Sequence, residues 1–335
     1  MRRTLILGIL VVVLGGVVYY LVRPTSEAPA TTVVGADREF SVDSNLVGKV
    51  FIADRYGNTS TLERRRGGWI YNGEYPARPD AIDNLLQAIH RVEMQYKPPN
   101  AAVPAMVESL SSEGLKVELY DRQGAPLKTY YVGGATPDER GTYFLLEGFE
   151  QPYVVGIPGW EGNVRFRYNL LGDNWRDRAV FRTSVEDIAT VTVEYPKQQN
   201  SSFRLSRRGR DYTITPFYEL TPRINRPLKP GIGETYLVNF QEMLATDFAN
   251  RNSNRDSITQ QIPFVNIVLT TTEGDVQSAT LFPIYRDAFV DEKTGELVTP
   301  NSVQGYYALT GNGDFMVVQD AVFRKVLWAY DFFFQ

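Results

Sequence analysis

The spacing of apolar residues changes character along this chain, and each change predicts a different element. From Leu5 to Val22 no charge interrupts an apolar run, with Arg2 and Arg3 before it and Tyr19 and Tyr20 near its far end. At about 1.5 Å per residue a helix of this length approaches the ~30 Å of a hydrocarbon core, whereas the apolar part of a cleavable signal is about 7–15 residues. Residues 5–23 are therefore expected to form a transmembrane helix, with the tyrosines at the interface. The Arg-bearing residues 1–4 stay in the cytoplasm and the remainder lies outside. Ala28-Pro29-Ala30 leaves a rival reading open, a signal sequence removed after Ala30. Residues 24–38, which contain PTSEAPATTVVGAD, have no sustained periodicity and read as a linker.

After Phe40 the pattern becomes one of short alternating runs. GKVFIADRYGNTSTLERRRGGWIYNG predicts strands near 49–53, 59–64 and 69–71, a β-meander with a turn at Tyr56-Gly57-Asn58. ATVTVEYPKQQNSSFRLSRRGRDYTITP predicts the same order near 190–195, 202–207 and 212–215. Leu62 corresponds to Leu205, Trp69 to Tyr212 and Val50 to Val193. A helical period follows each meander. Ile82, Leu85, Leu86, Ile89 and Val92 form one stripe, and Leu237, Phe240, Leu244 and Phe248 another. Further strands come next, with Gly124 matching Gly274 at a hairpin turn, Tyr143 matching Tyr307 and Tyr153 matching Phe315. Each half then closes on a helix-like stretch. Trp160, Val164, Tyr168 and Leu171 share a face in the first; Val322, Val326, Leu327, Tyr330 and Phe334 share one in the second. Residues 285–304 are an insertion that reads as a hairpin or loop.

The expected fold is therefore α+β: two related units, residues 39–180 and 181–335, each a meander, a helix, a second group of antiparallel strands and a final helix. With 43% hydrophobic and 22% charged residues the chain is globular rather than disordered. A net charge of −4 gives no overall attraction to nucleic acid, so a nucleic-acid partner is not expected. Zero Cys excludes disulfides, thiolate catalysis, Cys-based zinc sites and a lipid-modified N-terminal Cys.

Catalytic signatures are scarce. His90 is the single histidine, on a helix beside a buried stripe, and reads as a structural or surface residue. No phosphate-binding loop, nucleophile elbow or dinucleotide fingerprint occurs. Gly311 to Asp314, GNGD, reads as a hairpin turn. Asp287, Asp291, Glu292 and Glu296 cluster in the insertion without the regular spacing of a calcium loop, and read as a solvated hairpin. The sequons at Asn58 and Asn200 read as turn residues without glycan. No catalytic, cofactor-binding or metal-binding residue is assigned.

Binding residues are the better candidates. Arg64, Arg65 and Arg66, and Arg204, Arg207, Arg208 and Arg210, form two local basic patches at hairpin tips, able to grip an anionic partner. Arg64, Arg65, Arg207 and Arg208 are its named contacts, against the plainer reading of tips that stay hydrated and oppose edge pairing. Phe332, Phe333 and Phe334 offer a second contact, with packing onto their own unit as the alternative.

The order of these elements resembles a known family. The LxRR turn with its following aromatic, the Pro-led helix, GTYFLL and the RDRAVF segment from Arg176 to Phe181 are similar to the bacterial uncharacterised-domain family 4340. Its members are membrane-anchored envelope proteins, some associated with gliding-type ABC transporters. The resemblance implies an envelope accessory protein and no reaction. The expectation is a non-catalytic scaffold or binding subunit in the inner membrane, whose partners are other envelope membrane proteins, an ABC transporter among them. An envelope hydrolase using carboxylates and a released periplasmic ligand-binding protein are the alternatives.

Overall fold

Alternation of apolar and polar residues builds a sheet in each half of the chain. The computed structural model describes residues 39–286, 289–290, 297–298 and 302–335. The predicted transmembrane helix and linker, and the carboxylates Asp287, Asp291, Glu292 and Glu296, lie outside the described residues. Among the described residues no helix is long and apolar enough to cross a membrane.

The chain divides into two units, the first ending at Gly172 and the second beginning at Asp173. The first contains β1 (Val47–Ala53), β2 (Thr59–Arg65), β3 (Gly68–Tyr71), β4 (Tyr75–Pro76), α1 (Pro79–Arg91), β5 (Glu93–Tyr96), α2 (Val103–Glu113), β6 (Leu115–Asp121), β7 (Pro126–Ala135), β8 (Thr142–Leu146) and β9 (Tyr153–Gly156). They form one antiparallel sheet in the order β4-β3-β2-β1-β6-β7-β8-β9-β5. In β6, Leu115, Val117 and Leu119 are buried while Lys116, Glu118 and Tyr120 are partly exposed, the period of two that a half-buried strand requires. α1 begins at Pro79, where the missing N–H costs no helical hydrogen bond, and buries Ala81, Ile82, Leu85, Ala88 and Ile89 on one face. Tyr130 and Phe144 stack in the core at 5.2 Å, with Tyr168 edge-on to both.

The second unit contains β10 (Ala179–Phe181), β11 (Ile188–Glu194), β12 (Phe203–Arg208), β13 (Asp211–Pro216), α3 (Ile232–Leu237), β14 (Met243–Leu244), β15 (Asp247–Phe248), α4 (Arg255–Thr259), β16 (Val265–Thr271), β17 (Val276–Tyr285), β18 (Phe289–Val290), β19 (Leu297–Val298), β20 (Val303–Thr310), β21 (Phe315–Gln319) and α5 (Asp320–Phe323). Its main sheet runs β13-β12-β11-β16-β17-β20-β21-β15. This is the strand order of the first sheet from β3 to β5, element for element. β10 pairs with β14 in a separate two-stranded sheet, and β18 with β19 as an antiparallel pair inside the insertion.

Sheet dominates and helices are few, so the fold is α+β or mainly β, with less helix than the sequence pattern suggests. The second stripe is not one helix. α3 and a 3-10 turn end at Phe240, and Leu244 and Phe248 fall in β14 and β15. Leu244 is exposed opposite Ala179 of β10 and Phe248 sits opposite Met316 of β21, so strand pairing overrides the helical spacing. The first helix likewise stops at Arg91, where Val92 turns extended and the chain enters β5.

Neither closing helix forms. Val164 and Tyr168 are buried around a 3-10 turn, Leu171 is exposed, and Gly159, Gly162 and Gly172 adopt positive φ that a helix cannot continue through. In the second unit α5 is four residues long, and the extended Ala329 separates it from a 3-10 turn at Tyr330–Phe333. Two helices escaped the period, α2 and α4. α2 buries only Met106 and Leu110, and α4 buries nothing.

Two proposed correspondences shift. Val50 lies between Leu62 and Leu119, and the residue between Leu205 and Leu269 is Val191, so Val193 corresponds to Ile52. Tyr153 lies opposite Phe144, and the residue opposite Ala308 is Met316 rather than Phe315. Residues 173–180 belong with the second unit, where β10 pairs with β14 and Arg176 is bound by Asp314.

Candidate functional site

The hairpin arginines are placed by strand register. Arg64 sits opposite Trp69 and Arg65 opposite Gly68; Arg207 sits opposite Tyr212 and Arg208 opposite Asp211. The inner arginine of each pair reaches back to the segment just before the first strand of its meander. Arg64 Nη2 donates to the Ser44 carbonyl at 3.0 Å, and Arg207 Nη1 donates to the Glu186 carbonyl at 2.9 Å. Arg64 also lies 5.1 Å from the Trp69 ring. Burial lowers its pKa, and the charge of Arg122 adds to that. Arg64 and Arg207 are therefore staples within their own units. Arg65 pairs with Glu63 at 2.6 Å, and it, Arg66, Arg204, Arg208 and Arg210 are exposed. The patch open to a partner is thus the outer part of each predicted set.

The terminal phenylalanines divide in the same way. Phe333 and Phe334 are buried in the core of the second unit, where Phe333 packs on Phe203 at 4.7 Å. Phe332 alone is half-exposed, with Lys229 Nζ 4.2 Å from its ring. The contact surface expected from three aromatics reduces to one. His90 is exposed in the last turn of α1.

The most built polar site lies in the second unit and centres on two residues that the sequence did not single out for chemistry. Arg176 is 8% exposed. Its Nη2 donates to both oxygens of Asp314 at 2.8 and 2.7 Å, and Nη1 donates to Asp173 at 3.0 Å. The guanidinium also lies 4.3 Å from the Phe248 ring. Burial opposes its charge, but the carboxylates of Asp314 and Asp173 outweigh burial and raise its pKa. Asn250 donates to Asp314 Oδ1 at 3.0 Å and accepts from the Phe315 N–H at 2.6 Å; Asn312 donates to Asp314 Oδ2 at 3.1 Å. Beside this network opens a cleft of about 280 Å³, lined by Asp177, Arg182, Gln277, Ser278, Thr310 and Asp314 among others. Asp177 is bound by both Nη atoms of Arg182 and by the Ala179 N–H.

The chemistry of the cleft follows from these bonds. Each oxygen of Asp314 already accepts two hydrogen bonds, and Asp177 is bound to a guanidinium. Two carboxylates held this way serve as ion-pair anchors. Among the described residues no group of three or more His, Asp and Glu could hold a metal ion. The sequence signal for this site was the RDR of Arg176 to Arg178, but its partner Asp314 looked like an ordinary turn residue.

A family model described as Domain of unknown function (DUF4340) matches residues 69–261, more than half of the chain. The chain belongs to this family. The DUF4340 span crosses the division at Gly172, taking in most of the first unit and part of the second. It includes Arg176, Arg207 and Arg208 but neither Arg64 and Arg65 nor Asp314. No curated protein and no solved structure matches the chain.

Proposed function

We propose that this DUF4340 chain is a non-catalytic scaffold or binding subunit of a bacterial envelope complex, made of two duplicated sheet units. A single helix at residues 5–23 holds it to the inner membrane, with its N-terminus in the cytoplasm and the units outside. Its partners are other envelope membrane proteins, an ABC transporter among them. The observation that carries the reading is the common strand order of the two sheets, joined to polar clusters whose carboxylates are bound by arginine. Such clusters rigidify a unit and leave its surfaces for recognition. The apolar run after Arg2 and Arg3 supports the tether.

The test is purification of the tagged chain from native membranes, with cross-linking and mass spectrometry. The expected result is a full-length chain in the membrane fraction, cross-linked to another membrane protein at constant stoichiometry. A soluble chain beginning after Ala30 would favour the released ligand-binding reading instead. Cleavage of envelope polymer by the purified chain, abolished by Asp177→Asn, would establish the hydrolase.

A further inference from the structure

Arg167 lacks what Arg176 has. Both are more than nine-tenths buried, but Arg176 is met by two carboxylates and Arg167, among the described residues, by none. Arg167 Nη1 donates to the Asn84 carbonyl at 3.3 Å and to Gln87 Oε1, both neutral. Its Nε, like those of Arg64, Arg178 and Arg207, has no partner. A guanidinium withdrawn from water in this way is left short of a counter-charge.

The surroundings are those of a binding site. The Arg167 guanidinium lies 4.8 Å from the Trp160 ring and 5.5 Å from Phe166, and the two rings are 5.8 Å apart. Gly162 has φ of +130°, and a Cβ there would come within 2.9 Å of the indole, so the loop closes tightly against Trp160. Arg91, in the last turn of α1, donates to the Pro158 carbonyl at 3.0 Å and brings a second positive charge to the same loop. Burial lowers the pKa of Arg167; Tyr168 opposes this and Arg91 adds to it. Phe166 is 49% exposed, so the aromatic shelf reaches the surface.

We propose that Arg167 and Arg91 receive a carboxylate of a partner polypeptide, an Asp or Glu beside an aromatic residue that packs on Phe166. This rests on the binding-subunit reading and names the chemistry of its partner. A planar guanidinium takes a carboxylate through directed N–H bonds, and an exposed ring edge takes a second ring. A bilayer headgroup fits less well. A headgroup phosphate brings no ring to pack against the exposed Phe166.

The chain has four tryptophans, so 5-fluorotryptophan labelling of the full-length protein in detergent gives a fluorine resonance for each, with Trp160 assigned by Trp160→Phe. N-acetyl-Glu-Phe-amide, titrated at low salt, is expected to shift the Trp160 resonance saturably. The Gln-Phe analogue should bind about tenfold more weakly, the loss of one charge-assisted hydrogen bond. Arg167 also ties α1 to the loop, so the exposed Arg91 carries the variant test: Arg91→Gln should raise the Kd about threefold or more, and high salt should do the same. An unmoved Trp160 resonance, an equal response to the Gln peptide, or a response only to phosphatidylglycerol vesicles overturns the proposal. Recovery of a membrane partner without a peptide response retains the binding-subunit reading and removes this site. A peptide response with no recovered partner does the reverse.

Discussion

On the sheet face opposite its core, the first unit carries charge at central positions where the second carries hydroxyl and aliphatic groups, while the second carries Arg204 and Glu194 where the first has Thr61 and Ala53. Lys49 lies opposite Tyr120 and Phe51 opposite Glu118; the equivalent pairs in the second unit are Thr190 with Thr270 and Thr192 with Val268. The inner positions, by contrast, are conservative between units: Val50 and Val191, Leu62 and Leu205, Leu119 and Leu269 are all buried. Inward side chains set the strand order through packing, and the outward set is free to differ without changing it. Two sheets of one order can therefore present different surfaces. The comparison extends to buried charge, which meets carboxylates in the second unit at Arg176 and, among the described residues, only neutral acceptors in the first at Arg167.

The largest expected effect tests that last contrast. Arg176→Met leaves the partly buried Asp314 without its guanidinium, with only the Asn250 and Asn312 donors, and should destabilise the second unit by about 3–5 kcal/mol. Adding Asp314→Leu should recover most of the loss. Arg167→Met strands no carboxylate and should cost the first unit clearly less. Urea unfolding followed by hydrogen exchange, which reads the two units separately, measures all three. Equal losses for Arg176→Met and Arg167→Met would erase the distinction. Next in size, Phe333→Ala should cost the second unit about 3–5 kcal/mol, because the ring is fully buried against Phe203 and Tyr236. Phe332→Ala should change stability by about 0.5 kcal/mol or less and act, if at all, on partner recovery.

The arginine staples should behave alike in both units despite the different sheet faces. Arg64→Gln and Arg207→Gln each remove a charge-assisted bond to a backbone carbonyl and should cost about 1–2 kcal/mol. Arg65→Gln and Arg208→Gln, exposed, should stay within about 0.5 kcal/mol. A staple effect in one unit only would show that the repeated arginine pattern is held for different reasons. Thermal melts of the four variants decide it.

Sequence alternation made the meanders legible because β1, β2, β11 and β12 bury one face each, so period two survives in the residues. It could not separate Val191 from Val193, since a shift of two residues keeps the same face inward and both are buried. Nor could it place Tyr153, because β9 is buried on both faces and its pattern is continuous. The terminal aromatics misled for a related reason. Bulky apolar side chains at three-and-four spacing also fill a core from irregular backbone, which is what Val326, Tyr330 and Phe334 do. The polar site was half legible. Arg176 stood in a distinctive segment, but its partner Asp314 lies 138 residues away, and local pattern carries no information about such pairings.

The smallest expected effect sharpens the contrast between the sheet faces. Glu118 accepts from the Tyr120 hydroxyl at 2.6 Å and pairs with Lys116 at 2.9 Å, and these two bonds hold its carboxyl below the usual value. A carboxyl depressed by folding contributes stability in full above its unfolded pKa of about 4.3 and loses it as pH falls through the lower folded value. Lys116, raised by the Glu118 and Glu147 bonds, has the opposite dependence: its contribution is full below an unfolded pKa of about 10.4 and is lost only in alkali. Side-chain exposures of 36% for Lys116 and 22% for Glu118 leave much of the pair to solvent, so its worth is about 0.5 kcal/mol. Glu118→Gln should therefore lower first-unit stability by that amount at pH 7 and by nothing near pH 2, while the second unit, with Val268 at the equivalent position, does not respond. Stability of both units measured from pH 7 to pH 2 checks this. A wild-type-to-variant difference that grows on acidification would mean that the carboxyl is disfavoured in the folded sheet, and that the charged face of the first unit is strained rather than paired.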